Sequence, residues 1–214
     1  MQEQPNTNIP ITQILNVLDE KGIQDIHTQL ITTPGYTLLN KVSLVEKDQV
    51  YYPSKIVDLN SSFIFPMTEK IGKQLKMNIE LVFAKLHAQG HGQPGYWNQY
   101  ESQGHIVENY VHAVYFPVSD WNPLYGGTTL IKVSDNETQL IPPIENSLVI
   151  FPNTYQFASL EPTRLCKHYA FKLELVYRMF KSDYESLDIP ESSEVDKKEK
   201  KKKKKKKKDK ALIV

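Results

Sequence analysis

A single cysteine, Cys166, stands in a chain of 214 residues. One thiol excludes any disulfide within the chain, which suits a reducing compartment better than a secreted scaffold. No apolar run approaches the ~20 residues needed to cross a bilayer. The opening MQEQPNTNIP has neither a basic n-region nor an apolar h-region, so no secretory signal is expected. There is no internal repeat. These absences point to an intracellular protein, cytoplasmic, nuclear or packaged in a particle, with no transmembrane segment.

What is present is globular in composition. Hydrophobic residues make up 40% and aromatics 10%, enough for one domain with a proper core. The net charge of +1 conceals two opposite parts. Residues 191–214 carry twelve lysines against five acids, a balance of +7, and leave the preceding 190 residues at −6. The apolar pattern is lost after Asp188. Residues 188–214 therefore read as a disordered Lys-rich tail, residues 1–9 as a mobile N-terminus, and 10–187 as the folded domain. Lys200, Lys201, Lys202, Lys203, Lys204, Lys205, Lys206, Lys207 and Lys208 run unbroken. Opposite nucleic acid such a brush gains affinity by counterion release, and opposite an anionic membrane by charge attraction. It also has the composition of a nuclear-localisation segment. Lysine without arginine or aromatics implies attraction and not recognition; a merely solvated tail is the plain alternative.

Along the domain, Ile11, Ile14, Leu15 and Leu18 fall at helical spacing before Gly22, which predicts a short amphipathic helix. Met67, Ile71 and Leu75 predict a second. GYTLLNKVSLVEK and QVYYPSKIVDL, between them, read as β segments. From residue 79 the texture changes to short runs: IELVFAKLHAQ, HAVYFPVS, GTTLIKVS, TQLIPPI, SLVIFP and HYAFKLELVYRMF. Turns rich in Gly, Asn, Asp and Pro separate them. The expected fold class is mainly β with flanking helices: a double-stranded β-helix, or jelly roll, with supporting helices packed outside.

Three fragments, in order, carry a resemblance: VYFPVSDWNPLYGGTTL, IPPIENSLVIFP and EPTRLCKHYAFKLEL. Together with AQGHGQPGYWNQYES, they resemble the prolyl-4-hydroxylase-like branch of the 2-oxoglutarate/Fe(II) dioxygenases, in the flavour of phages, large viruses and microbes. The resemblance covers roughly residues 78–180. It implies a facial triad of two His and one carboxylate for iron, with open positions for 2-oxoglutarate and oxygen. A His-x-Asp pair supplies two ligands from one strand face, because side chains at i and i+2 point the same way. It also implies a cation, usually Arg, for the far carboxylate of 2-oxoglutarate.

Carried over position by position, the first His falls on Asn98, the Asp on Tyr100, the distal His on Phe157 and the Arg on Ala170. An amide oxygen is a poor ligand for Fe(II), a phenol of unperturbed pKa ~10 is a protonated one, and a phenyl ring is none. Lys172 shares a strand face with Ala170 and is the candidate anion partner inside the barrel; a shift of two also brings His168 near. The implied reading is a catalytically inactive, dioxygenase-fold binding or structural protein with no cofactor, acting on an unidentified protein partner or assembly.

Two alternatives stay open. One is an active 2-oxoglutarate/Fe(II) hydroxylase with displaced ligands, requiring Fe(II) and 2-oxoglutarate. His105, Glu108 and His112 would share one side of a helix, although the Val and Tyr around them suit a strand. On that plain account His105 and His112 are surface or strand-edge residues, and His91 belongs to a Gly-flanked loop. The other alternative is a nucleic-acid-associated protein acting through its poly-Lys tail. Tyr96, Trp97, Tyr100, Tyr115, Tyr155 and Phe157 offer a stacking surface, or simply fill the volume a lost cofactor vacated.

Overall fold

The computed structural model describes residues 9–31, 37–38, 53–93, 97, 99–102, 105–106, 108–117, 121–167 and 169–180. The Lys-rich segment, Asn98 and His168 lie outside them.

The first strand, β1 (Thr12–Ile14), precedes helix α1 (Glu20–Ile26), which runs into a π-helical turn at His27–Ile31. Next come β2 (Thr37–Leu38), β3 (Pro53–Ile56) and helix α2 (Ile64–Leu75). Ten-odd residues of β4 (Asn78–Gln89) lead to the short β5 (Glu101–Ser102) and β6 (His105–Ile106), then β7 (Tyr110–Phe116). After a 3-10 turn at Pro123–Tyr125 follow β8 (Thr129–Ser134), β9 (Glu137–Ile141), β10 (Ser147–Pro152), β11 (Gln156–Ser159) and β12 (Ala170–Phe180). Seven strands form one antiparallel sheet in the order β1-β10-β7-β12-β4-β3-β2. Three form a second, β11-β8-β9, and β5 pairs only with β6. This mainly antiparallel architecture with two short helices is jelly-roll-like.

Alternation along the central strands divides the apolar residues into two cores. On β12, Leu173, Leu175, Tyr177 and Met179 join Ala84 and Leu86 of β4 and Ala113 and Tyr115 of β7. The buried face of α2, Ile64, Met67 and Ile71, lies against them. The helix stops where Lys76 turns left-handed at φ 53 and its N–H returns to Gly72 O. The opposite faces point into the barrel, where Val114, Phe116, Ile131, Val149, Phe151 and Phe157 cluster.

The helix expected over Ile11–Leu18 is instead a strand and a turn. Ile11 packs into the barrel core and Ile14 on the helix-side core. A strand on a sheet edge divides its side chains between two faces; one helix stripe cannot. Asn146 fixes the segment beyond it, with Oδ1 accepting from Leu18 N at 2.9 Å and Nδ2 donating to Leu18 O at 2.8 Å. Helix α1 starts only at Glu20, capped by Asp19 Oδ1 on Gly22 N at 2.8 Å, so Gly22 lies inside the helix and does not end it.

Candidate functional site

Three adjacent strands of the large sheet, β4, β12 and β7, send polar side chains into the barrel. On β12, Lys172 and Glu174 occupy alternate positions of the mainly apolar run AFKLELVYRMF and so share its inner face. Lys172 is paired in register with His87 on β4, and Ala170 with Gln89. On the other flank, Val176 is paired with His112 on β7, which brings His112 diagonally beside Glu174. The result is a buried row. His87 Nε2 lies 2.9 Å from Glu174 Oε2, and His112 Nδ1 lies 3.7 Å from Glu174 Oε1.

Burial pulls both imidazoles below their ordinary value, against the opposing pull of the Glu174 charge. Burial alone would raise Glu174. The hydrogen bond with His87, and the charges of His87, His112 and Lys85, outweigh it and hold the carboxyl below its usual range. Since burial disfavours a second charge on either ring, Glu174 and His87 act as one hydrogen-bonded unit.

One register step deeper the chemistry changes. Lys172 is only 4% exposed, and its Nζ donates to Ser159 Oγ at 2.8 Å. Among the described residues it has no carboxylate partner within salt-bridge distance. Burial lowers its ammonium to about 7. Ser159 is paired with Thr129 on β8, so both hydroxyls face the same side. Thr129 Oγ1 and Gln89 Oε1 are buried with no hydrogen-bond partner among the described residues. Lys172, Gln89 and Thr129 thus gather around Ser159, whose backbone oxygen accepts from Gln89 Nε2 at 3.4 Å. Just beyond Gln89 and Ala170 lies a surface pocket of about 280 Å³, lined by Gly90, His91, Gln93, Cys166, Lys167 and Tyr169.

Above the polar row sits an aromatic layer. Phe157 lies 5.2 Å from the His112 ring and 5.5 Å from Phe151, centroid to centroid, while His112 stacks on Phe151 at 5.4 Å. Tyr100 reaches the same imidazole at 6.5 Å and stacks on Tyr110 at 5.6 Å. Asn153, at the exit of β10, positions that approach: its Nδ2 donates to Tyr100 O at 3.0 Å, and its O accepts from Gln99 Nε2 at 2.8 Å.

The sequence-derived positions therefore meet in part. Tyr100 and Phe157 both pack on His112, and Ala170 is buried at the barrel end, while Asn98 lies outside the described residues. Lys172 is buried on the inner face of β12. His112 is wholly buried and no strand-edge residue, because β7 is a central strand. It belongs to a strand, and Glu108 to the exposed turn before it, so the helical grouping of His105, Glu108 and His112 does not form. Of the residues around this row, Glu174, Ser159, Thr129 and Gln89 are not singled out by the sequence, and His87 stands there only among the histidines available as ligands. Lys-x-Glu interrupting an apolar strand was the signal available for Glu174.

This donor set does not fit Fe(II). Among the described residues no three His, Cys, Asp or Glu side chains form a group able to hold a metal ion. His87, His112 and Glu174 have the composition of a facial triad, yet His87 and Glu174 are bonded to each other, and Phe151 and Phe157 cover His112.

No family model matches the sequence, and no curated protein matches it. Solved structures do. A prolyl hydroxylase from Trichoplax adhaerens, in complex with a hypoxia inducible factor oxygen degradation domain peptide fragment, is similar with a TM-score of 0.58 and 15% identity, over 80% of this chain and 83% of that one. A Pseudomonas putida prolyl-4-hydroxylase gives 0.56 and 13% over 80% and 92%. The viral collagen prolyl hydroxylase of Paramecium Bursaria Chlorella virus-1 gives 0.52 and 10% over 80% and 97%. The fold of this chain is that of the prolyl-hydroxylase-like 2-oxoglutarate/Fe(II) oxygenases.

Proposed function

We propose that the chain is a catalytically inactive dioxygenase-fold protein, a metal-independent binding module whose barrel takes a small carboxylate or other oxyanion at Lys172. The observation that carries this is Phe157. A ring unable to ligate stands where the resemblance puts the distal iron ligand, and it packs on His112 and Phe151. Lys172 supports the second half. Burying a cation beside a lone hydroxyl costs stability, and an anion drawn into the compartment offsets that cost. Ser159 and Thr129 would donate to the same anion.

Metal analysis of the purified protein, with calorimetry using Mn(II) as an iron surrogate, tests the first half. Neither Fe(II) nor Mn(II) should bind in stoichiometric amount; micromolar binding would overturn the pseudoenzyme reading. Restoring Asn98→His, Tyr100→Asp and Phe157→His together should recover some divalent-metal binding. Calorimetry with succinate, without metal, tests the second half: binding lost in Lys172→Met is expected.

We further propose that the Lys-rich segment is a separate polyanion-binding appendage, attracting nucleic acid or an anionic surface without sequence preference. Its twelve lysines and the opposite charge of the preceding residues support this.

A further inference from the structure

We propose that Lys172 is a carbonyl-reactive amine, and that the compartment it shares with Ser159, Thr129 and Gln89 takes a small polar aldehyde or ketone and holds it as an imine. This rests on the preceding reading only in that the barrel admits a small ligand.

A lysine forms an imine readily when its nitrogen is uncharged, held in place and shielded from water. Lys172 meets these conditions by geometry. Its stem is enclosed at 4% exposure, and its Nζ is tethered 2.8 Å from Ser159 Oγ. No described carboxylate stabilises the ammonium form, so burial acts unopposed and brings the nitrogen to about 7. The free amine is then far more populated at neutral pH than in an ordinary exposed lysine, whose value is ~10.4.

The surroundings suit a polar carbonyl compound. Gln89 Oε1 is a buried acceptor and Thr129 Oγ1 a buried hydroxyl, both unpartnered among the described residues. A hydroxyl next to the carbonyl group would satisfy them. Once the amine has reacted it no longer offers an acid its ammonium, and burial disfavours a charge on the neighbouring His87, which favours an uncharged carbonyl compound. The surface pocket lined by Gly90 and Tyr169 adjoins Gln89 and Ala170 in sequence.

The step balances without an oxidant or reductant. The Nζ lone pair attacks the carbonyl carbon, the carbonyl π bond breaks, and its oxygen takes a proton as the nitrogen loses one. The carbinolamine then loses its hydroxyl as water, leaving a carbon–nitrogen double bond. His87, paired in register with Lys172 and bonded to Glu174 at 2.9 Å, is placed to relay the proton. Its role is positioning and proton transfer, and it forms no bond to the substrate.

The test uses the full chain, incubated with glycolaldehyde and cyanoborohydride near neutral pH. Hydride from the reagent reduces the imine carbon and fixes the adduct, which intact mass and peptide mapping then locate. Modification of Lys172 at least ~100-fold faster than of residues 197–210 is expected from the difference in free-amine fraction. Denaturation in guanidinium should abolish that preference. Adducts spread over the tail with Lys172 untouched in the folded protein would overturn the proposal, and this reading needs no variant to fold. Lys172→Arg keeps a cation but forms no imine, so peptide mapping of that variant should find no adduct at position 172.

Succinate separates the two readings. Binding with no Lys172 adduct would sink this proposal and leave anion binding standing. An adduct without succinate binding would do the reverse.

Discussion

His87 on β4 and Glu174 on β12 meet at 2.9 Å inside the barrel, although 87 residues of chain separate them. The pairing of β4 with β12 brings them together, since Glu174 lies one diagonal step from His87 on the same face. His112 closes the row from the opposite strand.

This row should make the fold acid-labile. His87 and His112 have lowered values in the fold, so below the unfolded value of ~6.5 the unfolded chain binds protons that the folded chain does not. Stability therefore falls as the pH drops through that window. Glu174, also lowered, contributes stability above the unfolded carboxyl value of ~4.3 and loses it as acid protonates the folded pair. Glu174→Gln should cost ~1–3 kcal/mol and move the acid midpoint to higher pH, because His87 loses the carboxylate that opposes burial. Denaturant melts from pH 7 down to 4 read both effects; an unmoved midpoint contradicts the pairing.

Lys172 acts in the alkaline direction. Its folded value of about 7 lies below the unfolded ~10.4, so between them the unfolded chain holds more protons, and stability rises with pH across that window. Lys172→Met should therefore stabilise the protein near pH 7, by up to ~4 kcal/mol less the lost Ser159 hydrogen bond. The gain should vanish by pH 10. Measurement stops there because Tyr115 and Tyr177, raised by burial, begin to weigh the other way as unfolded phenols ionise.

Phe157→Ala should destabilise by ~3–5 kcal/mol, the range for truncating a buried aromatic. The ring is 7% exposed and touches both His112 and Phe151, so its removal leaves a gap beside both rings. Chemical denaturation measures it. A cost under ~1 kcal/mol would mean that Phe157 lines an open cleft.

Deleting residues 189–214 should leave the melting temperature within about two degrees, since a dense lysine run buries nothing. The same deletion should abolish retention on heparin at low salt. A truncated chain that no longer folds would show that the segment belongs to the domain.

The sequence by itself marked the long central strands, but neither β1 nor β11. The short apolar runs SLVIFP, IELVFAKLHAQ and HYAFKLELVYRMF, bounded by turn residues, mark β10, β4 and β12 nearly residue for residue, because run length and turn chemistry are local properties. The resemblance also implied a shared site for Tyr100 and Phe157, and strand alternation a common face for Ala170 and Lys172. Tertiary structure alone decided which polar residues meet. His87, His112 and Glu174 come from three strands whose neighbourhood depends on the sheet order, and no local pattern encodes a register between segments far apart in sequence. Ile11–Leu18 failed for the same reason. Its apolar spacing fits one helix face, but the edge of β10 was available for pairing, and backbone hydrogen bonds to that edge let Ile11 and Ile14 enter two different cores.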